Sequence, residues 1–314
     1  MTGKSRREGH PPNRLPVVGA LGLLFVMAVG SAGCGSPSLS GTERTMTYCS
    51  GPLASGTLDL YQPATVPTGG SPVAVFFHGG AWVLGDSAIG PGTFIGDLES
   101  SLVDDGWAFA SVNYRLAPAY RWPAQIDDAT CAVRFLRADA AVLHLDPGRM
   151  AAVGSSAGGQ LASLLGLAGP GAGFDVGEFP GVPSTVEAVV EEFGPADLNA
   201  SSWSATAVAR QLSPEVFGVP AQPPSPVLAA ASPVTYVAPG SPPFLVIQGA
   251  DDDVVVPSQS EELVQRLDDT DGRATLVLVA HAGHGLVPVG GAVTPSIPTL
   301  AQQAATFLES QLGP

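Results

Sequence analysis

The chain has 314 residues, of which 45% are hydrophobic and only 13% charged; this supplies a large core and excludes the polar, highly charged composition of a disordered protein. The net charge is −15, and the first 33 residues carry Lys4, Arg6, Arg7 and Arg14 against Glu8, so the remainder stands at −18 without a single lysine. A surface of that sign repels phosphate backbones and anionic headgroups, which argues against a nucleic-acid partner.

The N-terminus has three parts: a basic region from Lys4 to Arg14, an apolar stretch from Leu15 to Val29, and Ser31-Ala32-Gly33 before Cys34. The apolar stretch is too short and too interrupted by glycine for a comfortable membrane span, but it suits the central region of a signal peptide over 1–33. Small residues directly before a cysteine resemble the processing site of bacterial lipoproteins, with Ser31 where leucine is commoner. That resemblance implies Cys34 as the lipid-attachment residue, 34–44 as a tether rich in Ser and Gly, and a protein anchored on the outer face of the cytoplasmic membrane. An ordinary cleaved signal followed by secretion is the alternative.

From residue 45 onward, strand and helix patterns alternate. Thr57–Tyr61 reads as an edge strand, and Val73–Phe77 as a strand buried on both faces. Phe94–Val103 has helical spacing, Ala108–Asn113 is strand-like, and Ala124–Ala138 reads as a helix opened by Pro123. Met150–Val153 is a strand that turns directly into a helix over Gln160–Leu167. Val186–Phe193, Phe244–Gln248 and Thr275–Val279 read as strands, and Glu261–Leu267 and Leu300–Leu312 as helices. The order predicts one α/β domain over 45–314, a mostly parallel sheet with helices on both faces. Two segments break the rhythm: a Gly/Pro-rich loop at Gly169–Ser184, and a partly helical insertion at Asp197–Ser232 expected to cover the site. Of three cysteines, none has metal-site spacing. Cys49 and Cys131 can pair in an oxidising compartment, but the apolar helical stripe around Cys131 favours two buried free thiols.

The chemistry centres on Gly154-Ser155-Ser156-Ala157-Gly158. A strand-to-helix turn this sharp needs small neighbours and lifts the Ser156 hydroxyl to the sheet edge beside a helix N-terminus. A serine hydroxyl needs a base, and the base needs an orienting carboxylate. After Ser156 only His281 and His284 remain, and the glycines flanking His284 let it swing toward the sheet edge, while His281 reads as a loop histidine. The acid lies in Asp251-Asp252-Asp253, at the C-terminal end of a strand where sites of open parallel sheets occur. Gly79 and Gly80, after a buried strand, and Ala157, after the serine, have backbone N–H groups suited to an oxyanion. His78 reads as a brace for that glycine loop and Trp82 as a wall of the substrate pocket. No phosphate loop, dinucleotide fingerprint or metal spacing occurs, so no cofactor is expected.

These stretches coincide with others. His78 to Trp82, Val112-Asn113-Tyr114-Arg115-Leu116-Ala117-Pro118, Trp122-Pro123-Ala124-Gln125, Gly154 to Gly159, Phe193-Gly194-Pro195-Ala196-Asp197-Leu198 and Ser232-Pro233-Val234-Thr235-Tyr236 stand in the order found in one family. The chain resembles α/β-hydrolase carboxylesterases of the hormone-sensitive-lipase type. Ser155, where the core group has an acidic residue, turns the resemblance toward the feruloyl-esterase-like and acetyl-ester-cleaving branch. It implies an α/β-hydrolase fold, Ser156 as nucleophile, His284 as base, and Gly79, Gly80 and Ala157 as oxyanion donors. The family's spacing from Gly249 and from Gln259 selects Asp252 as the acid, whereas the displaced Pro257 favours Asp253. The strand before it ends in Gln248, where the family often has histidine. The implied activity is hydrolysis of small, short-chain acyl or aryl esters. An amidase, arylformamidase or peptidase using the same site, and a non-catalytic binding module on the same fold, are the alternatives.

Overall fold

The computed structural model describes residues 42–313. The leader, Cys34 and residues 35–41 of the tether lie outside them. Eight strands form one sheet: β1 (Thr42–Ser50), β2 (Ser55–Gln62), β3 (Ser71–Phe77), β4 (Ala108–Asn113), β5 (Leu145–Ser155), β6 (Ala188–Glu192), β7 (Phe244–Gly249) and β8 (Ala274–Val279). Their spatial order is β1-β2-β4-β3-β5-β6-β7-β8. β1 and β2 are antiparallel to their neighbours, and β4, β3, β5, β6, β7 and β8 run parallel. The helices are α1 (Phe94–Asp104), α2 (Ala124–Ala138), α3 (Ala140–Leu143), α4 (Ala157–Leu167), α5 (Ser201–Ser204), α6 (Ala207–Val216), α7 (Pro226–Ala230), α8 (Ser258–Asp268) and α9 (Ile297–Leu312). None of the described helices is long and apolar enough to cross a membrane.

The period-two geometry of a strand explains the continuous apolar runs, because each face needs its own set of side chains. On β3, Val73, Val75 and Phe77 join one core with α2, α4 and α8, while Ala74 and Phe76 join the other with α1 and α9. Phe244 and Val246 of β7 face the first core, and Leu245 and Ile247 the second. The result is a three-layer α/β sandwich, as the element order predicts, in keeping with the α/β-hydrolase fold that the resemblance implies.

Two readings are corrected at the antiparallel end. β2 is not the edge, because β1 pairs outside it with Met46 opposite Leu58. β1 also starts at Thr42, inside the stretch read as tether. Its polar residues are spent across the strand pair: Arg44 donates to Gln62 Oε1 at 3.0 Å and Thr45 to Asp59 Oδ1 at 2.6 Å. An edge strand buries only part of its surface, so Met46, Tyr48 and Cys49 suffice for the core.

The preference for free thiols at Cys49 and Cys131 is also overturned: the two form a disulfide across 82 residues of chain, with Cα atoms 6.5 Å apart. Cys131 is buried in its helical stripe as expected, but the unrecognised strand β1 lies against that stripe and brings buried Cys49 to it. The bridge fastens the edge strand to α2. The same helix orders the Gly/Pro-rich loop. Thr130 donates to the Phe174 carbonyl at 2.8 Å, Arg134 to that of Glu178 at 2.7 Å, and Arg137 to that of Thr185 at 2.8 Å.

Candidate active site

The C-terminal ends of the parallel strands carry the site. Ser156 follows β5 with φ 55° and ψ −116°, a left-handed conformation forced by the immediate start of α4. The approach is close enough that a Cβ on Gly158 would lie 1.9 Å from the Phe77 carbonyl oxygen, so only glycine fits there. The Ser156 N–H donates to the Glu192 carbonyl at the end of β6, 2.8 Å away, which secures the strained residue from the adjacent strand.

His284 opens a short 3₁₀ turn after β8. Its Nε2 lies 3.0 Å from Ser156 Oγ, and its Nδ1 lies 2.8 Å from Asp252 Oδ2. With Nδ1 protonated toward the carboxylate, Nε2 is left to accept the serine proton; this tautomer follows from the hydrogen-bond network. The Phe193 ring meets the imidazole edge-on at 4.9 Å and limits its rotation. Asp252 is buried, whereas Asp251 and Asp253 are exposed. Asp252 Oδ1 accepts the N–H groups of Val254 and Val255 at 2.9 and 3.0 Å, and Gln248 Nε2 donates to Oδ2 at 3.2 Å. The geometry therefore brings Ser156, His284 and Asp252 into one chain and leaves Asp251 and Asp253 out of it.

Beside the serine, the N–H groups of Gly79, Gly80 and Ala157 donate to no partner among the described residues. Gly79 is so close that a Cβ there would stand 3.4 Å from the Ser156 Cβ. His78 stacks on Tyr114 at 4.2 Å, its Nδ1 lies 2.7 Å from the Gly79 carbonyl, and Tyr114 donates to the His78 carbonyl at 2.7 Å. Burial holds its pKa below the ordinary histidine value, so the ring stays neutral. It has the packing of a brace. His281 is exposed, with the Gly291 backbone over its ring.

Trp82 does not sit where the sequence suggests. Its side chain is 1% exposed and so cannot form the open wall of a pocket. The indole N–H donates to Gln160 Oε1 at 3.1 Å, and Trp203 and Phe217 pack edge-on against the ring at 6.4 and 5.3 Å. Trp82 is the pillar on which the insertion rests: α5 and α6 supply Trp203, Ala209, Leu212 and Val216 to the same apolar cluster. Gln259 anchors the insertion's root, accepting the N–H groups of Ala196 and Asp197 at 2.9 and 2.8 Å and donating to Ser202 at 2.9 Å.

Sequence reasoning missed the acids of β6. Burial pushes both Glu191 and Glu192 up to about 8. Glu192 hydrogen-bonds the Ser155 hydroxyl, and Glu191 accepts the Gly194 N–H. The signal was present, since two consecutive glutamates close an otherwise apolar buried strand. Among the described residues, no group of three or more His, Cys, Asp or Glu side chains is placed to hold a metal ion.

Comparison with known proteins agrees with this architecture. The chain is 33% identical over 250 residues to the esterase LipC of Mycobacterium tuberculosis, covering 76% of this chain and 58% of LipC. It is 37% identical over 129 residues to the carboxylesterase NlhH of the same species, covering 41% of this chain and 38% of that one. The chain thus spans little more than half the length of LipC, and less of NlhH. Among solved structures, the propionate-bound esterase Est2 of Thermogutta terrifontis superposes with a TM-score of 0.70 at 23% identity, over 88% of this chain and 98% of that one. This likeness shows the fold. The BD-FAE family model matches residues 58–267, most of the described domain, and the chain belongs to that family.

Proposed function

We propose that the protein is a serine carboxylesterase acting on small esters. The carrying observation is the continuous relay from Ser156 Oγ through His284 to Asp252, with contacts of 3.0 and 2.8 Å. Ser156 attacks the ester carbonyl while His284 Nε2 takes its proton. Asp252 holds the imidazole and stabilises its charged form. The N–H groups of Gly79, Gly80 and Ala157 stabilise the tetrahedral oxyanion. The protonated His284 then delivers its proton to the leaving alcohol, and water hydrolyses the acyl-enzyme by the same route. The esterase names of the relatives support this reading. A fluorophosphonate probe tests it: the expected result is covalent labelling at Ser156 together with hydrolysis of a nitrophenyl acyl ester. Purified protein that neither labels nor turns over such esters would refute it.

The substrate reading is a short acyl chain. Its support is the packed insertion, in which Trp203 and Phe217 share one apolar cluster with Trp82 and with Ala157, the residue after Ser156. Acyl esters of increasing length give the test; a higher kcat/KM for a long-chain ester than for acetate or butyrate sinks it.

The protein is proposed to be exported and held at the outer face of the membrane through a lipidated Cys34. The leader's basic, apolar and small-residue regions support this, and a disulfide in the domain suits an oxidising compartment. Detergent-phase partitioning of the wild type against Cys34→Ala decides it. Both proteins in the aqueous phase would mean a secreted form.

A further inference from the structure

We propose that the side chain of Glu192 is a positioning residue for the nucleophile, acting as a hydrogen-bonded brace through Ser155. The inference rests on the esterase reading of Ser156 and goes beyond the relay itself.

Ser156 sits in a sparsely populated backbone conformation, and such residues persist only where surrounding contacts over-determine them. Glu192 supplies two of those contacts. Its carbonyl accepts the Ser156 N–H at 2.8 Å, and its carboxyl Oε2 bonds the hydroxyl of Ser155. One residue on β6 thereby holds both serines of the turn between β5 and α4. The ladder agrees, because Ser155 and Glu192 are direct partners in the parallel pairing of β5 with β6. β6 continues into Phe193, whose ring restrains His284. The strand end therefore sets the nucleophile from one residue and the base from the next.

A carboxyl in this place has to be explained, since burying a charge costs several kcal/mol unless it is well paired. No cationic side chain hydrogen-bonds Glu192 among the described residues, and the group is 3% exposed. Burial raises its pKa to about 8, so near neutral pH it is a carboxylic acid, a hydrogen-bonding group without net charge. A neutral brace also keeps negative charge away from the tetrahedral oxyanion, which forms one residue along the chain from Ser155. The role needs hydrogen-bonding shape and not ionisation, and a glutamine amide has that shape.

The experiment measures steady-state ester hydrolysis and fluorophosphonate labelling in the full domain, with far-UV circular dichroism and melting curves as fold controls. For Glu192→Ala, kcat and the labelling rate should fall about 10- to 100-fold while KM stays within about threefold, since misplacing a reacting atom acts on the chemical step. Glu192→Gln should recover most of the lost rate. Ser155→Ala, which removes the same bond from its other end, should resemble Glu192→Ala, and the double variant should be no worse than either single one. Ser155→Ala also carries the test if Glu192→Ala does not fold. Unchanged kcat and labelling in a folded Glu192→Ala, or strictly additive losses in the double variant, would overturn the proposal. A Glu192→Gln variant as slow as Glu192→Ala would do so as well, because it would mean that the charge is required. A wild type that is not labelled would remove the esterase reading first and this inference with it.

Discussion

Asp252 divides its two carboxyl oxygens between backbone and base: Oδ1 takes the N–H groups of Val254 and Val255, while Oδ2 faces His284 Nδ1 at 2.8 Å. The loop's own amides thus lock the carboxylate before the histidine arrives. Neither exposed neighbour holds this place, so only one of the three aspartates is hydrogen-bonded to His284. Asp252→Asn should lose about 10⁴-fold in kcat, the size of the tautomer effect in a serine protease. Asp251→Asn and Asp253→Asn should keep most activity. Rates for the three variants above pH ~6.5, where histidine is ordinarily neutral, check this. Damage confined to Asp253→Asn would mean that the loop rearranges.

Replacing Ser156, the nucleophile of the proposed mechanism, is the sharper test. Ser156→Ala should keep the fold, because its backbone contacts to Glu192 and Gln160 involve no hydroxyl. Its kcat should fall about 10⁶-fold, as in single triad deletions of another hydrolase. Ser155→Ala should be milder by orders of magnitude, since its hydroxyl bonds Glu192 and not the base. Unaltered melting and residual turnover are the two readouts.

Much of the site was legible because its residues are constrained by local chain geometry. The Gly-x-Ser-x-Gly turn, the glycines after β3 and the glycines around His284 each answer a local steric demand, and the structure brings these segments together. The choice of Asp252 needed spacing from two anchors, Gly249 three residues before it and Gln259 seven after. One of them, Gln259, proves to be a structural clamp on the insertion. What escaped depends on contacts between segments far apart in sequence. The disulfide needs β1, whose polar pattern carries little strand signal. The burial of Trp82 needs Trp203 and Phe217, more than a hundred residues on. Glu192 reads as an oddity in an apolar strand until β5 is placed beside it.

The glycine loop should respond unequally to added methyl groups. A Cβ on Gly80 would stand 2.1 Å from the Leu84 carbonyl oxygen, and Gly80 has φ 106°. On Gly79 the nearest atom is the Ser155 oxygen at 3.2 Å. Gly80→Ala must move the loop that carries the N–H donors, and loss of one such donor costs about 10²- to 10³-fold in kcat. Gly79→Ala should be the milder of the two. Equal losses would show that the loop shifts as a unit.

The disulfide is expected to matter for stability and not for catalysis. Closing 82 residues restricts the unfolded chain by about 4.5 kcal/mol in the chain-entropy model. Cys49→Ser with Cys131→Ser should lower the midpoint of urea unfolding while kcat at room temperature stays near that of the wild type. Its site on the antiparallel side of the sheet, away from β7 and β8, is the reason. A large fall in kcat with an unchanged midpoint would contradict this.

The last prediction concerns pH. Glu192 has an ordinary value of 4.5, raised by burial to about 8 in the folded protein. The folded state therefore holds its proton more tightly than the unfolded state. The stability this proton confers is complete below the unfolded value and is lost as pH rises through about 8, because folding then requires a buried charge. Glu191 changes in the same direction, and Glu192 and Asp252 both add to its burial effect. Stability should fall between about pH 5 and 8, a range in which ordinary carboxylates have already ionised. Glu192→Gln removes one titrating group, so its melting temperature should depend less steeply on pH over that range. The slopes should converge at low pH, where both forms are neutral. A Gln variant with the wild-type slope would show that Glu192 is already ionised at neutral pH in the folded protein.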